Sequence, residues 1–279
     1  MTRASQILEL GELTFLEPTF ASLTDDLYTT ALLGIPAVEG RLLIDRDENP
    51  LAVAISDGKG WYAASFLLRS LPLEVIELCE DLDSEIHEEE RSVWAAAVRE
   101  YYSLLIRRTV TPAFEDLPPD REPKLEGLLE EVWGRGDAVT CLDCCCGSGV
   151  GSSAARTLGM LPLSFDSDPA LLSLGLASGR LLPEEAMWMD ATLAGQYLEP
   201  VPRGIAVMMG EINSFTEEMW ENITGEFLTL VKEALITVGT EKEVRRVEGW
   251  GLAAGHQVEV TENRRDEIYD RWVCRSTRE

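Results

Sequence analysis

The sequence predicts an α/β protein. The second half reads as a seven-stranded, mostly parallel, doubly wound sheet, and the first half as an α+β, mainly helical N-terminal region. Three observations carry this. From about residue 121 onward, short apolar runs alternate with helical stretches, the pattern of a parallel sheet covered by helices. The first of those runs opens into a small-residue loop, Cys144-Cys145-Cys146-Gly147-Ser148-Gly149-Val150-Gly151, that feeds a helix. The first three runs also reach an aspartate: Asp143, Asp166 and Asp190.

In the first half, Leu8 to Leu16 and Ala21 to Leu33 read as mainly helical. Arg41 to Asp45 and Leu51 to Ile55 flank the turn-rich Asp47-Glu48-Asn49-Pro50 and predict a hairpin. After the turn Gly58-Lys59-Gly60, Trp61 to Leu68 is a third strand. Leu73 to Leu82 and Ser84 to Arg108 read as helices. Trp94, Val98, Tyr101, Leu105 and Ile106 share a face of the second, and Glu88-Glu89-Glu90 is its solvated side. Pro112, Pro118, Pro119 and Pro123 mark a linker, which divides the chain into residues 1–120 and 121–279.

In the second half, Leu125 to Trp133 is an entry helix, and Ala138 to Leu142 is a buried strand ending at Asp143. A helix starts near Ser152 or Ser153. Leu161 to Asp166 is the second strand, and Asp168-Pro169-Ala170 turns into the next helix. Ala186 to Ala191 is the third strand and Gly204 to Met209 the fourth. Phe215 to Val231 is helical, Ala234 to Gly239 the fifth strand, and Glu241 to Ala254 a helix stopped at Gly255. His256 to Val260 and Arg271 to Arg275 complete seven strands.

A strand, a glycine loop and a helix N-terminus form a place where backbone approaches a nucleotide-like ligand closely. One reading is a dinucleotide fold, with Ala154 as the small third residue after Gly149-x-Gly151. Asp143 argues against it, because an acid beside the loop repels a pyrophosphate. It suits a ligand carrying an ammonium group and hydroxyls.

The segment Asp143-Cys144-Cys145-Cys146-Gly147-Ser148-Gly149 resembles the first motif of class I S-adenosylmethionine-dependent methyltransferases, written D-x-x-C-G-T/S-G. The later acids fall where that family places them, 23 residues from Asp143 to Asp166 and 24 from Asp166 to Asp190. The resemblance covers roughly the second half of the chain. It implies a seven-stranded sheet with an antiparallel last strand, and S-adenosyl-L-methionine as cofactor. It also implies that Asp143, Cys145, Gly147, Ser148 and Gly149 face the methionine part. Asp166 would hold the ribose and Asp190 the adenine, with Ser167 and Ala191 beside them. Cys145 departs from the pattern, since many members have glycine there.

Cys141, Cys144, Cys145 and Cys146 crowd into six positions. A metal is disfavoured, because no distant cysteine pair exists and the only histidines are His87, read as a surface residue, and His256, read as structural. Small hydrophobes packed under a loop are the preferred reading, ahead of a reactive thiol. Adjacent unpaired thiols suit a reducing compartment.

Length, 279 residues, allows one large domain or two smaller ones. No signal pattern and no apolar run of ~20 residues is present, so a soluble, cytoplasmic protein is expected. The net charge of −26, with only four lysines, disfavours nucleic acid, whose binders draw affinity from basic patches. The basic pairs Arg107-Arg108, Arg245-Arg246 and Arg264-Arg265 read as solvated faces.

The decisive residues of a methyltransferase usually follow the fourth strand. Here that place reads Met209-Gly210-Glu211-Ile212-Asn213-Ser214-Phe215, without the D/N-P-P-Y/F of enzymes acting on nucleic-acid bases. Glu211 and Asn213 are the catalytic candidates, with helix capping by Asn213 or Ser214 as the competing reading. Tyr101, Tyr102 and Trp61 are candidate pocket residues or core aromatics. The functional expectation is a methyltransferase acting on a small-molecule or protein acceptor. The alternatives are a non-catalytic cofactor-binding partner, a nucleic-acid methyltransferase and an NAD-dependent oxidoreductase. The first half would supply substrate pocket, homodimer contacts or a structural cap.

Overall fold

A computed structural model describes residues 2–115, 117–136 and 138–278. The chain divides into two compact units, one up to Leu105 and the other from Ile106 onward. The division falls inside a helix, ahead of the proline-rich stretch.

In the first unit, α1 (Arg3–Ile7) is followed by β1 (Thr14–Phe15), a 3-10 turn at Phe20–Thr24, α2 (Leu27–Leu33), β2 (Glu39–Ile44), β3 (Pro50–Ser56) and β4 (Trp61–Ser65). Then come α3 (Leu73–Asp81), β5 (Glu85–Glu88) and the first turns of α4 (Arg91–Thr109). The five strands make one sheet in the order β1-β4-β3-β2-β5. The predicted hairpin and third strand are its antiparallel centre, and β1 and β5 add parallel edges.

Two expected helices are corrected. Leu8 to Leu16 is not helical: the helix ends at Ile7, Glu9 takes a φ of +55°, and Thr14–Phe15 joins the sheet. Phe15 is drawn in by the rings of Trp94, Tyr101 and Tyr102, 4.7–6.0 Å away. Likewise, Ser84 to Arg108 is not one helix. Asp83 turns at φ +46°, and Glu85–Glu88 pairs with β2 before α4 begins. Glu88 therefore ends an edge strand rather than lining a helix, and charged side chains there keep the edge from pairing further. His87, expected at the surface, is half-buried in that strand. Tyr102 is a core aromatic whose hydroxyl donates to the Glu17 carbonyl at 3.0 Å. Trp61 lies under the Arg41 guanidinium.

The second unit holds α5 (Arg121–Trp133), β6 (Thr140–Cys144), α6 (Val150–Thr157), β7 (Leu161–Asp166), α7 (Pro169–Ser178), β8 (Ala186–Trp188) and a 3-10 helix at Ala191–Gln196. It continues through β9 (Val201–Ala206), α8 (Glu217–Leu230), β10 (Val231–Val238), α9 (Glu241–Ala253), β11 (Gln257–Glu262) and β12 (Trp272–Thr277). The seven strands are ordered β11-β12-β10-β9-β6-β7-β8. β12 alone runs against the direction of the other six strands, as the resemblance implied. This is the class I methyltransferase-like fold.

Successive residues of β9 face opposite sides of this sheet. Phe227 of α8 fills the space beside Gly204, whereas Ile205 meets α6 at Gly151. Ile205, Leu235 and Cys141 then pack with Leu125, Leu129 and Ala154 in one buried cluster. The sheet is thus covered on both faces, and apolar runs in its central strands follow from that.

Two boundaries matter for the site. Asp143 lies inside β6, paired opposite Ser164 and Ile205, not at the strand end. The fourth strand ends at Ala206, and Met208 and Met209, expected within it, form the loop beyond.

Candidate functional site

The loop after β6 is shaped by its backbone. Cys145, Gly147 and Gly149 take φ of +54°, +54° and +81°. Gly149 caps α6, and a Cβ there would fall 2.5 Å from Leu181, so neither the conformation nor the space admits a side chain. A Cβ on Gly147 would meet no protein atom, because the residue borders open space. Cys145 adopts a left-handed conformation with a side chain attached, at the position where this chain departs from the family pattern.

That open space is a cleft of about 260 Å³ beyond the carboxyl ends of β6, β7 and β9. β6 has β7 on one side and β9 on the other, so the cleft sits where the connections of a doubly wound sheet diverge and ligands bind. Its wall includes Cys145, Cys146, Gly147, Ser148, Asp166, Glu115 and Arg121, together with Met208, Gly210 and Trp220.

Asp166, at the end of β7, brings its carboxylate to the wall. Oδ2 accepts from the Gly147 N–H and Oδ1 from the Asp168 N–H, both at 2.8 Å. Burial pushes its pKa up, against those N–H donors. Asp143 is placed differently. It is fully buried beneath the loop, where Oδ2 accepts from the Ser152 hydroxyl at the start of α6 and Oδ1 has no hydrogen-bond partner. Ser152 and Ser164 hydroxyls meet at 2.6 Å in the same buried group. Loss of solvation pushes the Asp143 carboxyl up to about 7; the Ser152 hydrogen bonds pull the other way and the nearby Asp166 charge adds to the rise.

The other predicted residues scatter. Ser148 is buried at the wall and its hydroxyl donates to Glu115, which also pairs with Arg180 at 3.1 Å. Ser167 is exposed and its carbonyl accepts from Trp188 Nε1. Asp190 is exposed and caps the 3-10 helix, Oδ1 accepting from the Thr192 N–H and hydroxyl, with Ala191 buried behind it. Glu211 and Asn213 are exposed and do not line the cleft. Asn213 Oδ1 accepts from the Phe215 N–H at 2.9 Å, and its carbonyl accepts from the Thr216 and Glu217 N–H groups; this is an Asx turn ahead of α8, whose N-cap is Thr216, so neither Asn213 nor Ser214 caps the helix as expected.

Two charged wall residues and one network carried no sequence signal. Arg121 stands at the start of α5, 7% exposed, with its guanidinium over the Tyr269 ring and Nε donating to Asp270 at 3.2 Å. Asp270 also accepts from the Thr237 hydroxyl at 2.6 Å, and that hydroxyl accepts from the Met208 N–H at 2.7 Å. A buried polar chain thus ties Arg121 to Met208, two parts of the cleft wall that are far apart in sequence. Arg121 and Glu115 sit beside the prolines that read as a linker, where an isolated charge is not distinctive.

The cysteines are all free. Cys141, Cys144 and Cys146 are buried, and their thiols are pushed up, Cys144 chiefly by its hydrogen bond with Cys145 and the others by burial. Among the described residues, no group of three or more His, Cys, Asp or Glu is placed to hold a metal ion, and no helix is long and apolar enough to cross a membrane.

The sequence matches no protein-family model and no curated protein. Solved structures similar to it are methyltransferases. Precorrin-6y C5,15-methyltransferase from Geobacter metallireducens is 13% identical, over 61% of this chain and 95% of that one, with a TM-score of 0.44. Magnesium protoporphyrin IX methyltransferase from Synechocystis, solved with S-adenosylmethionine bound, is 12% identical over 66% and 97%, TM-score 0.44. Ribosomal protein L11 methylase from Lactobacillus delbrueckii is 14% identical over 60% and 81%, TM-score 0.44. Similarity at this level carries no functional argument, and the residues of the cleft have to supply it.

Proposed function

We propose that this chain is an S-adenosylmethionine-dependent methyltransferase with a small-molecule or protein acceptor. The observation that carries it is the cleft at the divergence of a seven-stranded sheet, bordered by an open glycine at 147 and an aspartate at the end of the adjacent strand. The residues fit the cofactor. Each Asp166 oxygen takes one backbone N–H and keeps acceptor capacity, which suits two neighbouring hydroxyls. The wall also holds one cation, Arg121, fit to meet a carboxylate, and one further acid, Glu115, fit to meet an ammonium.

When bound, the cofactor supplies a methyl carbon on a positively charged sulfur, which an acceptor lone pair takes while the sulfur keeps the electron pair of the broken bond. The protein's part is alignment and exclusion of water. Val207, Met208 and Trp220 line the cleft with apolar surface, and Asp143 anchors α6 so that the loop N–H groups are fixed. Asp190 remains a proposed adenine partner through the carboxylate that caps the 3-10 helix.

Calorimetry with S-adenosylmethionine and S-adenosylhomocysteine tests this. Wild type should bind both, and Asp166→Ala should bind at least tenfold more weakly, the loss of about 1.5–3 kcal/mol expected for hydrogen bonds to a charged group. Asp166→Asn, nearly isosteric, separates lost binding from a disturbed loop. No binding by wild type, or unchanged binding by both variants, would sink the assignment. A second reading, a cofactor-binding but non-catalytic partner, is favoured by the exposed placement of Glu211 and Asn213. Transfer of labelled methyl into a cell extract separates the two: labelling of a discrete acceptor ends the second reading.

A further inference from the structure

We propose that the acceptor is an arylalkylamine, an amine tethered to an aromatic ring, seated on the apolar surface that residues 207–220 build at the cleft. This rests on the methyltransferase reading above. Four observations support it. Met208 lines the cleft, is 41% exposed, and is held at φ +53° by the Thr237 hydroxyl. A left-handed methionine is costly, and such conformations persist mostly where the surroundings enforce them at functional sites. Trp220 lines the same cleft, and a Cβ on Gly210 would lie 2.9 Å from its indole Cζ2, so glycine at 210 leaves the ring its room.

Beyond the wall, Phe215 is 96% and Met219 46% exposed. Large apolar side chains bared together on one short segment mark a binding surface more often than chance exposure. Thioethers and an indole favour contact with a flat π-system.

Charge narrows the class. Glu211, Glu218 and Glu221 are exposed in the same segment, while Glu217 pairs with Arg246 at 2.9 Å. An anionic acceptor is repelled there and a neutral or cationic one is not. The residues this segment gives the wall (Val207, Met208, Gly210 and Trp220) hold no titratable side chain, so the acceptor side offers no base, and the wall acids Asp166 and Glu115 are those assigned to the cofactor. An arylalkylamine is mostly protonated at neutral pH and first loses that proton to water; its free base then needs none. Its nitrogen lone pair takes the methyl carbon, the electrons of the carbon–sulfur bond stay on sulfur, and the extra proton leaves to water.

The test uses the full chain saturated with S-adenosylhomocysteine and three probes titrated by calorimetry. Tryptamine carries ring and amine, indole-3-acetate ring and anion, and putrescine amines without a ring. Tryptamine should bind at least tenfold more tightly than either other probe. Trp220→Ala should weaken it tenfold or more. The double variant Phe215→Ala, Met219→Ser, altered only at exposed positions, should weaken it several-fold with S-adenosylhomocysteine affinity unchanged. Equal or tighter binding of indole-3-acetate or putrescine overturns the proposal, as does tryptamine binding that neither variant alters. If S-adenosylhomocysteine fails to bind wild type, the cofactor reading falls and takes this one with it. If it binds and tryptamine does not, only the acceptor proposal falls.

Discussion

Asp143 shows how one residue can be plain in sequence and obscure in role. A carboxylate beside a glycine loop reads as a ligand group, yet the same short side chain can anchor the helix that follows. Only the register of β6 decides, and it turns Asp143 inward to Ser152. Burial there raises its pKa from 3.8 to about 7. The native state then holds a proton that the unfolded chain has lost across that window. Stability therefore falls as pH rises from about 4 to about 7, and the contribution is fully present only below the unfolded value. Asp166 and Glu17 are shifted in the same direction and add to the slope. Asp143→Asn, which cannot ionise, should flatten it in part. Urea midpoints at pH 4.5 and pH 7.5 measure this: wild type should lose more between them than the variant. Equal losses would show that Asp143 ionises freely in the fold.

At the scale of elements, the turn between β9 and α8 is the segment whose assignment changed most. Asn213 Oδ1 accepts from the Phe215 N–H in an Asx turn, and its carbonyl accepts from the Thr216 and Glu217 N–H groups, so its side chain holds the turn before α8 rather than capping the helix. Asn213→Ala should cost about 0.5–1.5 kcal/mol of stability, the net worth of one hydrogen bond, seen as a lower melting temperature, while S-adenosylmethionine affinity stays within twofold. A stable variant with abolished methyl transfer would restore Asn213 to the chemistry. The elements that were legible had two agreeing signals. β7 and α7, for instance, combine an apolar run with the Asp168-Pro169 cap, where the carboxylate accepts from the Ala170 N–H at 2.8 Å. Those that were not legible had a local pattern overruled by distant partners. Glu85–Glu88 has no strand composition, and pairing with β2 makes it one. Leu8 to Leu16 has helical spacing, and aromatic packing around Phe15 pulls it into the sheet. The site followed the same rule. The loop and Asp166 lie in one continuous motif and could be read. Arg121, Asp270, Thr237 and Met208 meet only through the fold.

At the scale of the molecule, charge sets a stability the contacts alone do not. There are 50 acids and 24 bases, so even complete pairing leaves 26 unopposed negative charges. The exposed pairs, such as Arg46–Glu90 at 2.8 Å and Arg271–Glu262 at 3.0 Å, each contribute little and are screened by salt. Buried pairs such as Arg121–Asp270 are screened less. Added salt therefore weakens two things of opposite sign: attraction within exposed pairs, worth about 0–1 kcal/mol each, and repulsion among all the surplus acids. The second sum is larger because it grows with pairs of charges and extends over the Debye length, about 30 Å at 0.01 M and about 3 Å at 1 M. Unfolding spreads the same charges apart, so low salt favours the unfolded chain. The melting temperature should rise with potassium chloride, by roughly 4–8 °C for a gain of about 2 kcal/mol. Most of the rise should come below about 0.5 M, where the Debye length shrinks fastest. Sucrose also stabilises by exclusion but does not screen, so its effect should lack that early steep phase. A melting temperature that fell with salt would mean that the ion pairs, not the surplus of acids, dominate the electrostatics of this fold.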